Sequence, residues 1–165
     1  MAPDLTSARV PERAADDHVR GEGREVILYM DLACPHCAAT WARIQDRDIR
    51  LVFRHFPVAS KHPRAPALHA AAEAAALQAG EPVFWEFIDS VYGDQGRIDD
   101  PHLWERARSL ELDVKRFDVD RRSPPVGERV RRDFESGIRA GVAGTPAGFV
   151  EGRLVQGDLG SEAAL

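Results

Sequence analysis

The chain has 165 residues, 44% of them hydrophobic, which suits one ordinary domain with a sizeable buried core rather than two separate domains. Its formal net charge of -5 is modest and its arginines are scattered among acidic residues, so a nucleic-acid partner is not expected. The longest strongly apolar segment, residues 26–30, is far shorter than the roughly 20 residues that cross a bilayer, so no membrane partner is expected either.

The first residues are polar and charged. Residues 1–16 offer little apolar surface to offset the entropy lost on ordering, so we expect a flexible N-terminal segment without a function of its own. Residues 1–25 contain no apolar stretch of the length that a secretory signal requires. The sequence therefore predicts a cytoplasmic location.

A strand-helix-strand unit is predicted next. The predicted strands cover residues 18–20, 25–30 and 49–56. From Cys34 the pattern becomes helical, because Pro35 suits a first helical turn. Trp41 and Ile44 supply the apolar side of that helix. This order of elements favours an α/β sheet with a right-handed crossover.

Residues 64–141 are predicted to form four or five helices. The breaks between these helices are expected at Gly80, Gly93, Pro101 and the pair Pro124-Pro125. The alanine-rich stretch 65–79 is interpreted as a packed helix, because it contains leucines and no glycine. A helix over residues 130–142 is expected to lead back to the sheet.

Short strands return near the end of the chain. Residues 147–150 and 153–156 flank a turn at Glu151-Gly152, which is typical of a hairpin. The sheet is therefore predicted to be split around a helical insertion.

The two cysteines of the chain, Cys34 and Cys37, lie three residues apart. On a helix this spacing places them one turn apart on the same face, which meets the Cα separation of about 4.4–6.8 Å that a disulfide needs. Cys34 is expected at the helix N-terminus, where unpaired N–H groups favour a thiolate, so it is the predicted attacking sulfur. Cys37 is predicted to be shielded and to resolve the mixed disulfide. The imidazole of His36 is expected to lower the pKa of Cys34 further.

Other uses of the cysteines are less consistent with the sequence. The pair could pack as small apolar residues, or it could bind zinc with two histidines, drawn from His36, His55, His62 and His69. A zinc site is disfavoured because the chain has no second C-x-x-C or H-x-x-x-H segment. A c-type haem is excluded because Ala38, not histidine, follows Cys37. No metal and no cofactor are therefore predicted.

The remaining polar residues are interpreted as structural. His55, His62 and His69 lie at the end of a strand or at the start of a helix, where histidines are more often hydrogen-bonded structural residues than ligands. Arg54 and residues 128–133 are interpreted as solvated surfaces.

These segments resemble a known family. Cys34-Pro35-His36-Cys37, preceded by Asp31-Leu32-Ala33 and a strand, resembles the active site of DsbA-like thiol-disulfide oxidoreductases. Residues 18–21 resemble the strand that opens these domains, and residues 53–57 resemble the exit from their second strand. Gly144-Thr145-Pro146 resembles their cis-proline loop. The resemblance covers residues 17 to about 160.

The resemblance implies an α/β thioredoxin-like fold over residues 17–165, with an inserted helical domain at about 63–135. It implies that Pro146 is cis and lies beside the disulfide, although X-Pro bonds are cis in only about 5–6% of cases. It also implies that Thr145 pairs its backbone with an extended substrate segment.

Three departures from the family's pattern are visible. Leu28 stands where family members often carry a buried acid, so Asp31 or water is the expected acceptor of the Cys37 proton. Ala147-Gly148 replaces the bulkier residues that are common in the hairpin. Residues 158–165 leave little chain for a last helix.

The sequence thus predicts a thiol-disulfide oxidoreductase that acts on protein or peptide thiols and disulfides, with glutathione or a thioredoxin-type protein as a possible recycling partner. A glutathione-dependent isomerase or transferase is one alternative, but such relatives typically lack the second cysteine, so Cys37 argues against it. A redox-sensing or partner-binding module without turnover is the other.

Overall fold

The computed structural model of the chain describes residues 10–161 and 164–165. The strands are β1 (His18–Arg20), β2 (Arg24–Met30), β3 (Ile49–His55), β4 (Ala147–Val150) and β5 (Arg153–Gln156). The helices are α1 (Pro35–Ile44), α2 (Ala65–Ala79), α3 (Glu81–Gly93), α4 (Asp100–Ser109), α5 (Val114–Asp120) and α6 (Pro124–Arg139).

The strands form one mixed sheet in the order β1-β3-β2-β4-β5. The pair β2 and β3 is parallel and is connected through α1, whereas the other neighbouring strands are antiparallel. Five helices, α2 to α6, lie between β3 and β4 in the sequence. The prediction of an α/β thioredoxin-like fold with a helical insertion is confirmed.

The sheet has a hydrophobic cluster on each face. Alternate residues of β2 enter different clusters: Leu28 packs with the helices α1 to α5, and Tyr29 packs with the residues around α6. Both side chains are completely buried, which explains why β2 reads as a continuous apolar strand. Beyond its carboxyl end at Met30, the chain leads directly into α1, which begins at Pro35.

The last helix of the insertion begins at Pro124, not at residue 130 as expected, and it ends at Arg139. The two prolines occupy its first turn instead of separating helices. Proline is favoured there because its missing N–H would have no intrahelical partner.

Arg54 is buried, which corrects its interpretation as a solvated residue. Its guanidinium donates hydrogen bonds to Asp17, to the Tyr29 hydroxyl at 2.9 Å and to the Glu12 carbonyl at 2.6 Å. Residues 128–133 are likewise not uniformly solvated, because Asp133 is buried and accepts a hydrogen bond from the backbone N–H of His55.

The ends of the chain are described only in part. A flexible segment was expected over residues 1–16, of which residues 1–9 lie outside the described residues. Within residues 10–16, the carboxylate of Asp16 accepts a hydrogen bond from Arg132 at 2.6 Å. The flexibility of the segment stays a prediction. Residues 158–161 and 164–165 form turns and bends without a helix. Within the described ranges, none of the helices combines the length and the apolar character needed to cross a membrane.

Gly137 allows α6 to pack closely against the sheet. A Cβ atom there would lie 2.8 Å from ring carbons of Phe56 and 2.9 Å from Tyr29. We expect Gly137→Ala to destabilise the protein by about 1–3 kcal/mol, which is typical of overpacking, measured by urea unfolding.

Gly127 is the matched control, because it lies in the same helix and a Cβ there would meet nothing within 4 Å. Gly127→Ala should stabilise the protein by about 0.5–1 kcal/mol, since alanine is the better helix former. Equal effects of the two substitutions would contradict the close-packing interpretation.

Candidate redox site

The two cysteines lie at the junction of β2 and α1. Cys34 is the N-cap residue of α1 with φ -81° and ψ 123°, and Pro35 is the first helical residue. The backbone N–H of Cys34 donates to the Asp31 carbonyl at 3.2 Å, which tightens the turn that leaves β2. Cys37 follows one turn later and is completely buried, whereas Cys34 is 5% exposed.

The surroundings of Cys34 favour its thiolate. A hydrogen bond from the Cys37 thiol lowers the pKa of Cys34 to about 4, although burial acts in the opposite direction. Hydrogen bonds from the backbone N–H groups of Cys37 and His36, and one from Thr145, add to this lowering. These donors converge on the sulfur because Cys34 precedes the first turn of a helix, where N–H groups have no intrahelical acceptor.

The surroundings of Cys37 favour its thiol. Burial raises its pKa, and the hydrogen bond that it donates to Cys34 raises it further. The backbone N–H of Asp31 donates to Cys37 Sγ at 3.5 Å. The two sulfurs, one helical turn apart, therefore have opposite preferences for the proton.

The loop before β4 lies beside Cys34. The Thr145-Pro146 peptide bond is cis, and Cys34 Sγ lies 3.9 Å from the Thr145 carbonyl oxygen. Thr145 is half-buried and Pro146 is buried. The approach follows from the sheet register, because Ala147 at the start of β4 pairs with Tyr29 near the end of β2.

His36 contributes to the site through its backbone N–H, which lowers the pKa of Cys34. Its side chain is exposed, and among the described residues its imidazole makes no hydrogen bond. A role of the imidazole in stabilising the thiolate stays a prediction.

Two further residues reach the site from the helical insertion. The side-chain amide of Gln95 donates to the carbonyls of Leu32 at 2.9 Å and Cys34 at 3.0 Å. The hydroxyl of Tyr92, in α3, donates to the Asp31 carbonyl at 3.1 Å. Both residues hold the loop that carries Cys34, and no pattern in the sequence distinguishes them from other polar or aromatic residues of the insertion.

Asp31 is fully buried beneath the two cysteines. Its carboxylate accepts hydrogen bonds from the backbone N–H groups of Ala33 at 2.8 Å and Val58 at 2.9 Å. Burial raises the pKa of the carboxyl group, so Asp31 is more basic than an exposed aspartate. Leu28, which replaces the family's buried acid, is completely buried as well.

Two of the histidines considered for a zinc site, His55 and His69, are bound to groups other than the cysteines. Nε2 of His69 accepts from the backbone N–H of Leu32 at 2.9 Å, and its Nδ1 lies 2.7 Å from Nδ1 of His55. Both ring nitrogens of His69 thus have other partners.

An apolar groove of about 710 Å³ opens next to the cis-proline loop. It is lined by the chain that leaves β3, by one face of α6 and by the residues just before the loop, including Val58, Phe134, Ile138 and Ala143. The side chain of Ile138 is 54% exposed. Ala143, which lines the groove, is two residues before Thr145 in the sequence.

Similarity to known proteins agrees with this site. The family described as DSBA-like thioredoxin domain matches residues 25–163. A thioredoxin-like oxidoreductase from Silicibacter pomeroyi is 26% identical, with a TM-score of 0.76 over 87% of this chain and 85% of that chain. DsbA2 from Pseudomonas aeruginosa shares the fold at 22% identity, with a TM-score of 0.70 over 92% of this chain and 91% of that chain.

The curated relatives are longer proteins. The Na(+)/H(+) antiporter NhaA of Herminiimonas arsenicoxydans is 40% identical over 150 residues, which are 86% of this chain and 23% of that protein. The chain thus spans about a quarter of the length of this relative. Both the extent of the family match and the redox site confirm the resemblance noted in the sequence, and this chain belongs to the family of DSBA-like thioredoxin domains.

Proposed function

We propose that this domain is a thiol-disulfide oxidoreductase that exchanges disulfides with protein or peptide substrates through Cys34 and Cys37. The observation that carries the proposal is the different setting of the two sulfurs: Cys34 caps α1 beside the Thr145 carbonyl, whereas Cys37 is completely buried one turn later. The pKa of Cys34 is lowered to about 4, and the pKa of Cys37 is raised. A reactive thiolate next to a protected thiol is the arrangement that stepwise thiol-disulfide exchange requires.

In the oxidising direction, a substrate thiolate attacks Cys34 Sγ of the disulfide, and Cys37 leaves and takes up a proton. A second substrate thiolate then attacks the substrate sulfur of the mixed disulfide. Cys34 leaves as a thiolate, and the substrate departs with a new disulfide. A lowered pKa makes Cys34 a good leaving group in this second step. In the reducing direction the same steps run backwards.

The surface beside Cys34 supports an extended peptide as the substrate. The backbone of Thr145, next to the sulfur, offers pairing of the kind used in strand addition. The apolar groove that begins at Ala143 would receive the apolar side chains of the same segment. A cytoplasmic location and recycling by glutathione or a thioredoxin-type protein belong to this proposal as predictions.

The first prediction concerns the pH dependence of alkylation. Only the thiolate reacts with iodoacetamide. Since the pKa of Cys34 is about 4, its labelling rate should rise with pH through that value and be nearly constant from pH 5 to 8. Cys37 should stay unlabelled throughout, because its pKa is raised. Peptide mass spectrometry measures both sites, and equal labelling of the two cysteines at pH 5 would contradict the assignment.

The second prediction concerns turnover. Cys34→Ser should abolish the reduction of insulin by dithiothreitol that the protein catalyses, because the attacking sulfur is lost. Cys37→Ser should accumulate mixed disulfides with the substrate, visible on a non-reducing gel, because no second sulfur resolves them. If the wild-type protein forms its disulfide reversibly but gives no turnover, the domain is a redox sensor instead.

The third prediction concerns the redox potential. A pKa of about 4 lies roughly 3 units below that of the corresponding thiol in thioredoxin, so the reduced form gains about 4 kcal/mol at pH 7. About 30 mV correspond to 1.4 kcal/mol, which raises the potential from about -270 mV to roughly -180 mV. Equilibration with glutathione measures it. A potential below about -260 mV would contradict the role of the thiolate.

A further inference from the structure

Five ionisable side chains form a continuous hydrogen-bond chain, the relay, that runs from the interior to the surface. The links join His69 Nδ1 to His55 Nδ1 at 2.7 Å, His55 Nε2 to Glu73 Oε1 at 2.6 Å, Glu73 Oε1 to His18 Nε2 at 2.5 Å, and His18 Nδ1 to Glu81 Oε1 at 2.5 Å. The side chains of His55 and His69 are completely buried, whereas that of Glu81 is 49% exposed.

Four elements bring the relay together. His69 and Glu73 are four residues apart on α2, so they share one face of that helix. His55 ends β3, and His18 lies on the neighbouring strand β1, opposite Phe53. Glu81 begins α3. No single segment of the sequence contains the relay.

The inner end of the relay lies against the redox site. His69 Nε2 accepts from the backbone N–H of Leu32 at 2.9 Å and lies 4.0 Å from Oδ1 of Asp31. Asp31 in turn contacts Cys37 Sγ through its backbone. One residue, Asp31, therefore separates the inner end of the relay from the buried sulfur.

The positions of the protons follow from the contacts. Because Leu32 donates to His69 Nε2, a neutral His69 carries its proton on Nδ1 and donates it to His55 Nδ1. His55 then carries its proton on Nε2 and donates it to Glu73. From His69 through His55 to Glu73, each link thus has a donor facing an acceptor, which is the arrangement needed for protons to move outward along this part of the relay.

The charges of the relay agree with these positions. Burial opposes a charge on His18, but its hydrogen bonds to Glu73 and Glu81 raise its pKa to about 9. His18 is therefore protonated at neutral pH and donates from both ring nitrogens. Burial raises the pKa of Glu73, whereas its hydrogen bonds to His18 and His55 lower it. The net result is a lowered pKa. Burial lowers the pKa of His69, which keeps this side chain neutral.

The same atoms could be considered as a metal site, because His18 Nε2, His55 Nε2 and Glu73 Oε1 converge. A metal would require the lone pair of His55 Nε2, which moves the His55 proton to Nδ1 and makes His69 Nδ1 an acceptor. His69 would then accept at both nitrogens, since Leu32 already donates to its Nε2. A neutral imidazole has only one acceptor nitrogen, so the contacts favour hydrogen bonds.

The outer end of the relay opens into a cleft of about 570 Å³. His18, Glu73 and Glu81 line it, together with charged residues such as Glu128 and Arg132. Water in this cleft can exchange protons with the carboxylates, so the relay connects the interior with solvent on a surface other than the one beside Thr145.

We propose that the relay conducts the Cys37 proton between Asp31 and this cleft, and that His69 and Glu73 are positioning residues for the resolving step. The proposal rests on the proposed function of Cys37. When a mixed disulfide on Cys34 is resolved, the Cys37 thiol gives its proton to the Asp31 carboxylate. Its sulfur forms the bond to Cys34 Sγ, and the bond from Cys34 to the substrate sulfur breaks, so the substrate leaves as a thiolate.

In the same step Asp31 passes this proton on to His69, whose Nε2 turns from Leu32 to Asp31. As His69 takes this proton, its Nδ1 proton passes to His55, and the Nε2 proton of His55 passes to Glu73. Glu73 releases a proton to the cleft, and the imidazoles return to their starting tautomers. Leu28 stands where family members often carry a buried acid, and its apolar, fully buried side chain cannot accept a proton. The relay would supply the missing proton path. Asp133 also lies at this end of β3, where its carboxylate accepts a hydrogen bond from the backbone N–H of His55.

The test separates the two steps of oxidation by DTNB, the aromatic disulfide whose product thiolate absorbs at visible wavelengths. Attack by Cys34 releases the first equivalent, and attack by Cys37 on the mixed disulfide releases the second. His69→Gln retains an acceptor for the Leu32 N–H but has no second ring nitrogen. Glu73→Gln retains the acceptor for both histidines but cannot take up a proton. Glu86→Gln, exposed on the same helix as Glu81, is the control.

We expect the first release to stay within about twofold of wild type in all variants. The second release should slow about tenfold or more in His69→Gln and Glu73→Gln, since positioned proton transfer contributes roughly 10²–10⁴ in rate. It should also become steeply dependent on pH, because hydroxide must then remove the Cys37 proton. Glu86→Gln should match wild type. Unchanged second release in both variants, or equal slowing of both steps, would overturn the relay.

A measurement on the unmodified protein avoids any effect of substitution on folding. In mixtures of H₂O and D₂O, a plot of the rate of the second release against the deuterium fraction should bow below the straight line that joins its two ends, because several protons move together. A linear dependence would overturn the relay. Failure of the first release in wild type would instead count against the proposed function, so the two failures are distinguishable.

Discussion

Asp31 is the residue on which the geometry of the site depends. It is completely buried, and its polar groups hold chain segments from four directions. Its carbonyl accepts from Cys34 and Tyr92, and its carboxylate accepts from Ala33 and Val58. Its own N–H points to Cys37 Sγ. A buried polar group without partners costs about 1–3 kcal/mol, so a turn in which every one of these groups is satisfied has little freedom to rearrange.

That rigidity explains how two sulfurs one helical turn apart can differ so much. Cys34 precedes the helix and faces N–H groups that lack other acceptors, whereas Cys37 lies inside the helix and against the packed core. The hydrogen bond from Cys37 has the largest effect on the pKa of Cys34, so the proton held by one sulfur stabilises the negative charge on the other. The side chain of His36 is exposed, and its effect on the thiolate stays a prediction.

Much of this could be predicted from the sequence, because it depends on local patterns. The apolar strand β2, the proline after Cys34 and the cysteine spacing each have a local physical cause. The start of α6 was predicted wrongly because prolines both end helices and begin them, and only packing decides between the two. Arg54 looked solvated because its partner Asp17 is distant in sequence. His55 and His69 were each interpreted singly as structural, since nothing local shows that they share a hydrogen-bond chain with His18.

The relay gives those histidines a common physical explanation. A carboxylate buried as deeply as Glu73 is strongly unfavourable unless it is paired, and removing a partner from a buried ion pair costs about 3–5 kcal/mol. Protonated His18 supplies the opposite charge, and neutral His55 supplies a second donor to the same oxygen. Packing alone would be served as well by apolar side chains of similar volume, which need no charge compensation. A hydrogen-bonded set of titratable groups that runs from the surface to within 4.0 Å of Asp31 is instead what movement of a proton requires, and in the proposed exchange the buried Cys37 thiol is the group that must lose one.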